Sequence, residues 1–237
     1  RKCISFLVHF RLRMQDSMYK ITEKFVSIQG EGYWVGTPMA FLRLAQCPVG
    51  KVPGLCTSWN GRLFVCDTGA SYPSQLQRVE HHAYTEVHEQ LSAQDIWRWV
   101  SDSQMDILCV TGGEPLAVDL QPLWSLVPDG HMHVETSGTI YQELPRSVWV
   151  TVSPKQGYQL PMLLRADELK ILVDRDTAPA SLREWINIGY SKCRFLQPIE
   201  EQDPEVTRQN IQHAARLCQT VRGWRLSLQQ QKFLQIR

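Results

Sequence analysis

Three cysteines, Cys47, Cys56 and Cys66, fall within one stretch, QCPVGKVPGLCTSWNGRLFVCDT, which ends in Cys66-Asp67-Thr68. Thiolates are soft metal ligands, and three of them can hold three corners of a [4Fe–4S] cluster while the fourth iron stays open to a further ligand. A structural zinc instead asks for four closed ligands, usually with two to four residues between paired cysteines. Here the spacing is C-x8-C-x9-C and the stretch has no histidine. On the residues alone, an open cluster, a zinc site and three unrelated thiols all stand.

A second set of polar residues follows apolar, strand-like runs. Thr111-Gly112-Gly113-Glu114-Pro115 comes after one run, Glu135-Thr136-Ser137-Gly138 after the next, and Ser153-Pro154-Lys155 after a third. Gln197-Pro198 and Gln229-Gln230-Gln231-Lys232 close the last two. Gly112 and Gly113 can bring backbone close to a ligand where a Cβ would clash. Glu114 beside them can pair with an ammonium group, or it is simply an acid in a first helical turn. Gln29, Glu31 and Arg43 suit a polar heterocycle bearing a carboxylate, for which arginine offers a two-pronged fork. A salt bridge between Glu31 and Arg43 is the plain alternative. The glycines of SIQGEGYWVG (27–36) do not form a phosphate loop, because no Lys-Ser/Thr pair follows and no helix opens there.

These residues need a frame. From Met39 onward, strand-like runs alternate with amphipathic helical patterns. Strands are expected at 39–45, 106–111, 131–136, 147–152, 167–173, 193–197 and 224–229. Helices are expected at 93–102, 115–127, near 180–188, and from Asp203 to Gly223. Ser92 is the expected cap of the first helix, with Asp95 at the capping-box position. Asp203-Pro204-Glu205 is a strong start for the last, which should bury Ile211, Ala214, Ala215 and Cys218. Pro53, Trp59 and Asn60-Gly61 suggest that the cysteine stretch contains a folded excursion with a tight turn. Such alternation means an α/β fold with a largely parallel sheet, and in such folds ligands bind at the carboxyl ends of the strands. The polar clusters converge there.

Composition sets outer limits. The chain has 237 residues, 43% of them hydrophobic, enough for a sizeable core, and a net charge of +1. That balance gives no electrostatic case for direct binding of nucleic acid or of a membrane surface. No run approaches the roughly 20 apolar residues that span a bilayer. Seven cysteines, an odd number in a chain of this size, argue against a disulfide framework and for a reducing compartment, the cytoplasm. Cys109, Cys193 and Cys218 read as small packing residues. Residues 1–17 are expected to be a poorly ordered extension, and 18–237 a single domain with an enlarged loop over 47–66.

Taken in order, FVSIQGEGYWVGTPMAFLRLAQCPVG, CDT, VTGGEPL, VETSGT, WVTVSPK, ADELKILV, FLQPI and WRLSLQQQKFLQI resemble the radical S-adenosylmethionine enzymes and, within them, the 7-carboxy-7-deazaguanine synthase family. The resemblance implies an incomplete barrel of mostly parallel strands with outer helices. It implies that Cys47, Cys56 and Cys66 bind a [4Fe–4S] cluster whose open iron is chelated by S-adenosylmethionine. Gly112, Gly113 and Glu114 would hold the amino group of that cofactor, with Glu135, Ser153, Lys155 and Gln197 lining the rest of its site. Thr68 would ligate Mg²⁺. Gln29, Glu31 and Arg43 would bind the pterin substrate, 6-carboxy-5,6,7,8-tetrahydropterin, with Gly112 and Gln231 beside it and with Glu31 and Arg43 as the catalytic pair. A radical formed from the cofactor would take a substrate hydrogen, and the ring would contract with loss of ammonia to 7-carboxy-7-deazaguanine, on the way to queuosine in tRNA. A homodimer and an external electron donor, flavodoxin-like or ferredoxin-like, are implied as partners.

The chain departs from the family pattern twice. The usual C-x3-C-x2-C is opened by insertions, so position 63 is Leu where the middle cysteine of CxxC would stand. The near-terminal QTHK is replaced by Gln229-Gln230-Gln231-Lys232, and Gln231 can donate a hydrogen bond but cannot take up a proton as histidine can. A different heterocyclic substrate, or a metal-binding relative without catalysis, are the competing readings.

Overall fold

The computed structural model describes residues 18–45, 47–49, 55–66, 89–188, 191 and 193–236. The expected extension over 1–17 and the expected ligand Thr68 lie outside the described residues.

Nine strands form one sheet. Strands β1 (Tyr19–Ile28), β2 (Pro38–Leu44), β5 (Glu89–Leu91), β6 (Leu108–Gly112), β7 (Met132–Thr136), β8 (Val148–Val152), β9 (Glu168–Val173), β10 (Cys193–Pro198) and β11 (Arg225–Leu226) follow the order β11-β10-β9-β8-β7-β6-β2-β1-β5. From β2 to β11 the pairing is parallel, while β1 runs antiparallel between β2 and β5. The order has two ends, as an incomplete barrel does. Strands β3 (Leu55–Thr57) and β4 (Leu63–Val65) make a separate hairpin. The helices are α1 (Ala93–Asp102), α2 (Gln121–Trp124), α3 (Leu160–Arg165), α4 (Pro179–Ile188), α5 (Pro204–Thr220) and α6 (Gln230–Leu234). Among the described residues, no helix is long and apolar enough to cross a membrane.

The strand sequences alternate because their two faces differ. Leu108, Val110, Val134, Val150, Leu169 and Ile171 point into the main core. Their neighbours Thr111, Glu135, Thr151, Lys170 and Leu172 line a cavity on the other face. Beneath that cavity Met39, Phe41 and Cys109 form a smaller apolar cluster with Phe25 and Trp34 packed on it.

Helix α1 starts as expected, with Ser92 Oγ accepting from Asp95 N (3.1 Å). The helix expected over 115–127 is broken into a 3-10 turn at Pro115–Ala117 and the short α2. Val118 is extended, and the Asp119 carboxylate accepts from Gln121 N (2.8 Å) just ahead of Pro122. Asp-x-x-Pro is a fresh helix start that outweighs the apolar spacing. That spacing is still used, since Leu116, Leu120, Leu123 and Val127 are all buried.

Helix α5 starts on Asp203, whose side chain accepts from Glu205 N, but it ends at Thr220 and buries Asn210, Ala214 and Leu217 rather than Ile211, Ala215 and Cys218. The stripe is centred on an asparagine because that amide is fully used: Nδ2 donates to Ile199 O (2.8 Å) and Oδ1 accepts from Arg175 N (2.8 Å). The last strand is short, because Ser227 N donates to Leu196 O (2.9 Å) and the chain then turns toward α6.

Arg165, buried at the end of α3, donates to Asp167 Oδ2 (2.9 Å) and to the carbonyls of Leu144, Pro145 and Val148. Asp167 in turn accepts from Val150 N (3.1 Å), which ties β8 to the start of β9. Removing one partner of such a pair leaves the other buried and uncompensated. Arg165→Ala is therefore expected to lower the unfolding free energy by about 3–5 kcal/mol, read from chemical denaturation of the apoprotein.

Candidate active site

A cavity of about 490 Å³ opens at the carboxyl ends of the parallel strands. Cys47, Cys56 and Cys66 border it together with Gln29, Glu31, Arg43, Gly112, Gly113, Glu135, Ser153, Lys155, Gln197 and Gln231. Residues separated by nearly two hundred positions thus meet on one wall, within the size range of small-molecule sites.

The floor is made by the segment after β1. Gln29 N donates to Thr37 O (2.8 Å) and Gly36 N to Gln29 O (2.7 Å), which closes residues 29–37 on themselves. Gly32, at φ +67°, brings its nitrogen to Ser227 Oγ (3.0 Å), and a side chain there would run into Glu168. Tyr33 N donates to Glu168 Oε2 (3.0 Å), and Gln230 N donates to Gly30 O (3.0 Å). Tyr33 and Trp34 pack with His133 and Trp149 at ring-centroid distances of 5.0–5.5 Å.

The plain alternative of a Glu31–Arg43 salt bridge is not what forms. Glu31 Oε2 takes Lys170 Nζ, and Glu31 Oε1 accepts from Gln229 Nε2 (2.9 Å) and Gln231 Nε2 (3.4 Å). Burial alone would raise the Glu31 carboxyl, but the Lys170 charge and these hydrogen bonds hold it well below the carboxylate range. Lys170 is raised in turn: burial works against its charge, and Glu31, Glu135 and Glu168 overcome that. Arg43 lies 3.4 Å from Glu23, with its guanidinium over the Phe25 ring. Glu135 accepts from Gln29 Nε2 (2.8 Å) and Thr111 Oγ1 (3.4 Å).

Glu114, expected to hold an ammonium group, sits at the turn after β6. Its carboxylate is buried, accepts from Leu116 N (3.1 Å), Thr136 Oγ1 (2.6 Å) and Ser137 N (2.9 Å), bonds the Ser137 hydroxyl, and does not border the cavity. It ties the turn after β6 to the end of β7. Gly112 is a glycine for a different reason from the expected approach of a ligand. At φ +103°, a Cβ there would meet Leu44 N at 2.5 Å and Arg43 Cα at 2.7 Å, so the neighbouring strand forbids a side chain.

Burial pushes the Cys56 thiol up to about 11; the nearby Lys155 ammonium lowers it, while Cys66 and Cys47 raise it further. The three thiols thus act on one another across the cavity wall. Among the described residues no group of three His, Cys, Asp or Glu side chains is already drawn together as a closed metal site. Sulfurs on a single zinc sit within about 4 Å of one another, whereas a cube of iron and sulfide takes its thiolates at separate corners. Lys155 Nζ donates to Ser153 O (3.0 Å) and Ser153 Oγ (2.8 Å), and Gln197 Oε1 accepts from Ser227 Oγ (3.2 Å).

Sequence reasoning missed Lys170, Glu168 and Arg62. The first two carried a signal: in ELKILV, charged residues alternate with apolar ones inside a strand whose other face is buried.

Curated relatives can be set beside this geometry. The 7-carboxy-7-deazaguanine synthase of Escherichia coli K12 is 33% identical over 245 residues, covering 92% of this chain and 99% of its own. The chain belongs to the 7-carboxy-7-deazaguanine synthase family. Family members from Synechocystis sp. and Bacteroides thetaiotaomicron are each 32% identical, covering 92% and 93% of this chain and 94% and 100% of their own. The crystal structure of QueE from Escherichia coli superposes with a TM-score of 0.66 at 30% identity, covering 94% of this chain and 97% of that one. No family profile matches the chain.

Glu168 gives this site a pH signature. Burial raises its carboxyl to about 7 from the ordinary 4.5, against the pull of Lys170 and the Tyr33 N–H. The folded state therefore holds a proton that the unfolded state gives up, and the stability this confers is full below pH 4.5 and lost as pH rises through about 7. His133 works the other way: burial lowers it to about 4 from 6.5, so its contribution grows as pH rises between those values. In the native chain the two offset. Glu168→Gln removes only the first, so between about pH 5 and pH 7 its unfolding free energy should rise by about 2–3 kcal/mol more than that of the native protein. Denaturant titrations at the two pH values read the difference, and equal slopes would mean that Glu168 titrates as an ordinary carboxyl.

Proposed function

We propose that this protein converts 6-carboxy-5,6,7,8-tetrahydropterin to 7-carboxy-7-deazaguanine with loss of ammonia, as a carbon–nitrogen lyase feeding queuosine biosynthesis. The observation that carries the reading is a single cavity bordered both by Cys47, Cys56, Cys66, Gly112 and Gly113 and by Gln29, Glu31, Arg43 and Gln231. The donor set fits the implied groups. Three thiols border the cavity, and the buried Gln231 Oε1 has no hydrogen-bond partner among the described residues, an acceptor that suits a ring N–H of a ligand.

In this reading Cys47, Cys56 and Cys66 hold a [4Fe–4S] cluster. Gly112, Gly113, Glu135, Ser153, Lys155 and Gln197 hold S-adenosylmethionine, and Thr68 holds Mg²⁺. When bound, cluster and cofactor supply the radical that abstracts a hydrogen atom from the substrate. The chain itself orients and excludes. Arg43 offers its fork to the substrate carboxylate, and Gln29 and Gln231 meet the ring heteroatoms. Glu31 stays ionised against Lys170 and serves as a fixed acceptor, since a carboxyl held so low is a poor proton carrier. Glu114 acts through Ser137 and the turn after β6, fixing the position of Gly112 and Gly113. The packed rings of Tyr33, Trp34 and Trp149 back the segment that carries Gln29 and Glu31. An external flavodoxin-like or ferredoxin-like electron donor, a homodimeric assembly, a cytoplasmic setting and a single domain over 18–237 complete the proposal.

Anaerobic reconstitution with iron and sulfide should give a brown protein with visible charge-transfer absorption. Cys47→Ala, Cys56→Ala and Cys66→Ala should each lose it, while Cys109→Ala should keep it. With reductant, S-adenosylmethionine and the carboxytetrahydropterin, chromatography and mass spectrometry should find the deazaguanine acid. Formation of 5′-deoxyadenosine without that acid would overturn the substrate assignment and leave the radical chemistry standing.

A further inference from the structure

The insertion between the second and third cysteines is a built object. Leu55, Cys56 and Thr57 pair antiparallel with Val65, Phe64 and Leu63. The turn between them is closed by Ser58 N on Arg62 O (2.8 Å), Gly61 N on Ser58 O (3.0 Å) and Ser58 Oγ on Asn60 Oδ1 (2.6 Å), with Gly61 at φ +87°. Strands of three residues do not hold a hairpin by themselves. Its contacts with the sheet must fix it.

Those contacts reach the ends of three successive strands. After β8, Lys155 makes an isolated bridge with Ser58, and Gln156 N donates to Thr57 O (3.4 Å). At β9, Trp59 Nε1 donates to Leu172 O (3.0 Å), and its ring meets Trp185 of α4 edge-on at 5.5 Å. Past β9 and β10, Arg62 spans two carboxylates, with Nη1 2.7 Å from Asp174 Oδ2 and Nη2 2.7 Å from Glu201 Oε1. Cys56 is buried, two residues from the bridge and three from Trp59.

We infer that Arg62 and Trp59 are positioning residues: they dock the inserted hairpin across β8, β9 and β10 and thereby hold Cys56 at the cavity as an iron ligand. The inference rests on the reading of Cys56 as a ligand of the cluster. A short CxxC spacing ties two ligands together through local backbone; here the tie runs through an indole N–H and a guanidinium fork to the barrel rim. Lysine is not an equivalent replacement, because its compact ammonium lacks the planar spread that lets Nη1 reach Asp174 while Nη2 reaches Glu201.

The test is iron retention in the reconstituted full chain. Native protein, Arg62→Ala, Arg62→Lys, Trp59→Phe and Cys56→Ala are loaded anaerobically. Iron per chain, the electron paramagnetic resonance spectrum of the reduced cluster and the rate of iron loss to a ferrous chelator are then measured. Arg62→Ala should release iron about 10- to 100-fold faster than the native chain, the range seen when groups that orient metal ligands are removed. Trp59→Phe, which keeps a ring but removes the donor to Leu172 O, should change in the same direction, and Arg62→Lys should fall between native and Arg62→Ala. Release is compared well below the thermal midpoint of each apoprotein, so that loss of the Arg62 pair with the buried Asp174 is not read as unfolding. Release at the native rate from both Arg62→Ala and Trp59→Phe, with Cys56→Ala losing its iron, overturns the inference alone. Native iron content and release in Cys56→Ala overturns the ligand reading and the inference with it.

Discussion

The ion pair between Lys170 and Glu31 is the interaction on which the interior depends. One lysine on the inner face of β9 is shared among Glu31, Glu135 and Glu168, three acids brought to it by three different elements. Burying charge is unfavourable unless the charges are paired and hydrogen-bonded. The chain meets this unequally: Glu31 takes the ammonium itself, Glu135 takes Gln29 and Thr111, and Glu168 is left with a backbone N–H and a raised affinity for a proton. Because Glu31 belongs to the segment after β1, the same pair also fastens the floor of the cavity to the far side of the sheet.

Two layers therefore stack inside the barrel. Below lie the rings of Tyr33, Trp34, His133 and Trp149, next to the apolar group of Met39, Phe41 and Cys109. Above lies a polar chamber with both signs of charge on its walls. Burial of Glu168 and Lys170 lowers the effective dielectric around them, which strengthens the polar contacts they make. Glu114, Thr136 and Ser137 then knit the upper rim, so the turn that carries Gly112 and Gly113 is set by hydrogen bonds rather than by loop length.

Much of this was legible in the residues. Short strand-like runs marked the parallel strands, and the Ser92 and Asp203 caps marked two helices, because each signal is local. Strand β1 passed unread: YKITEKFVSI is an antiparallel strand with a register irregularity, so polar residues interrupt its alternation. The break at Val118 was hidden because Leu116, Leu120 and Leu123 satisfy a helical spacing that the core uses without a helix. The membership of the site was readable from the strand ends. Its internal pairing was not, since the choice of Lys170 over Arg43 by Glu31 depends on how residues 29–37 cross the barrel. Nor could local chemistry foretell that Glu114 is spent on its own turn.

The β3–β4 hairpin has one more implication. Paired strands lie about 5 Å apart whatever number of residues joins them, so Leu55 beside Val65 fixes how far Cys56 can stray from Cys66. A signature written in counts between cysteines would pass over thiols that paired strands keep close in space.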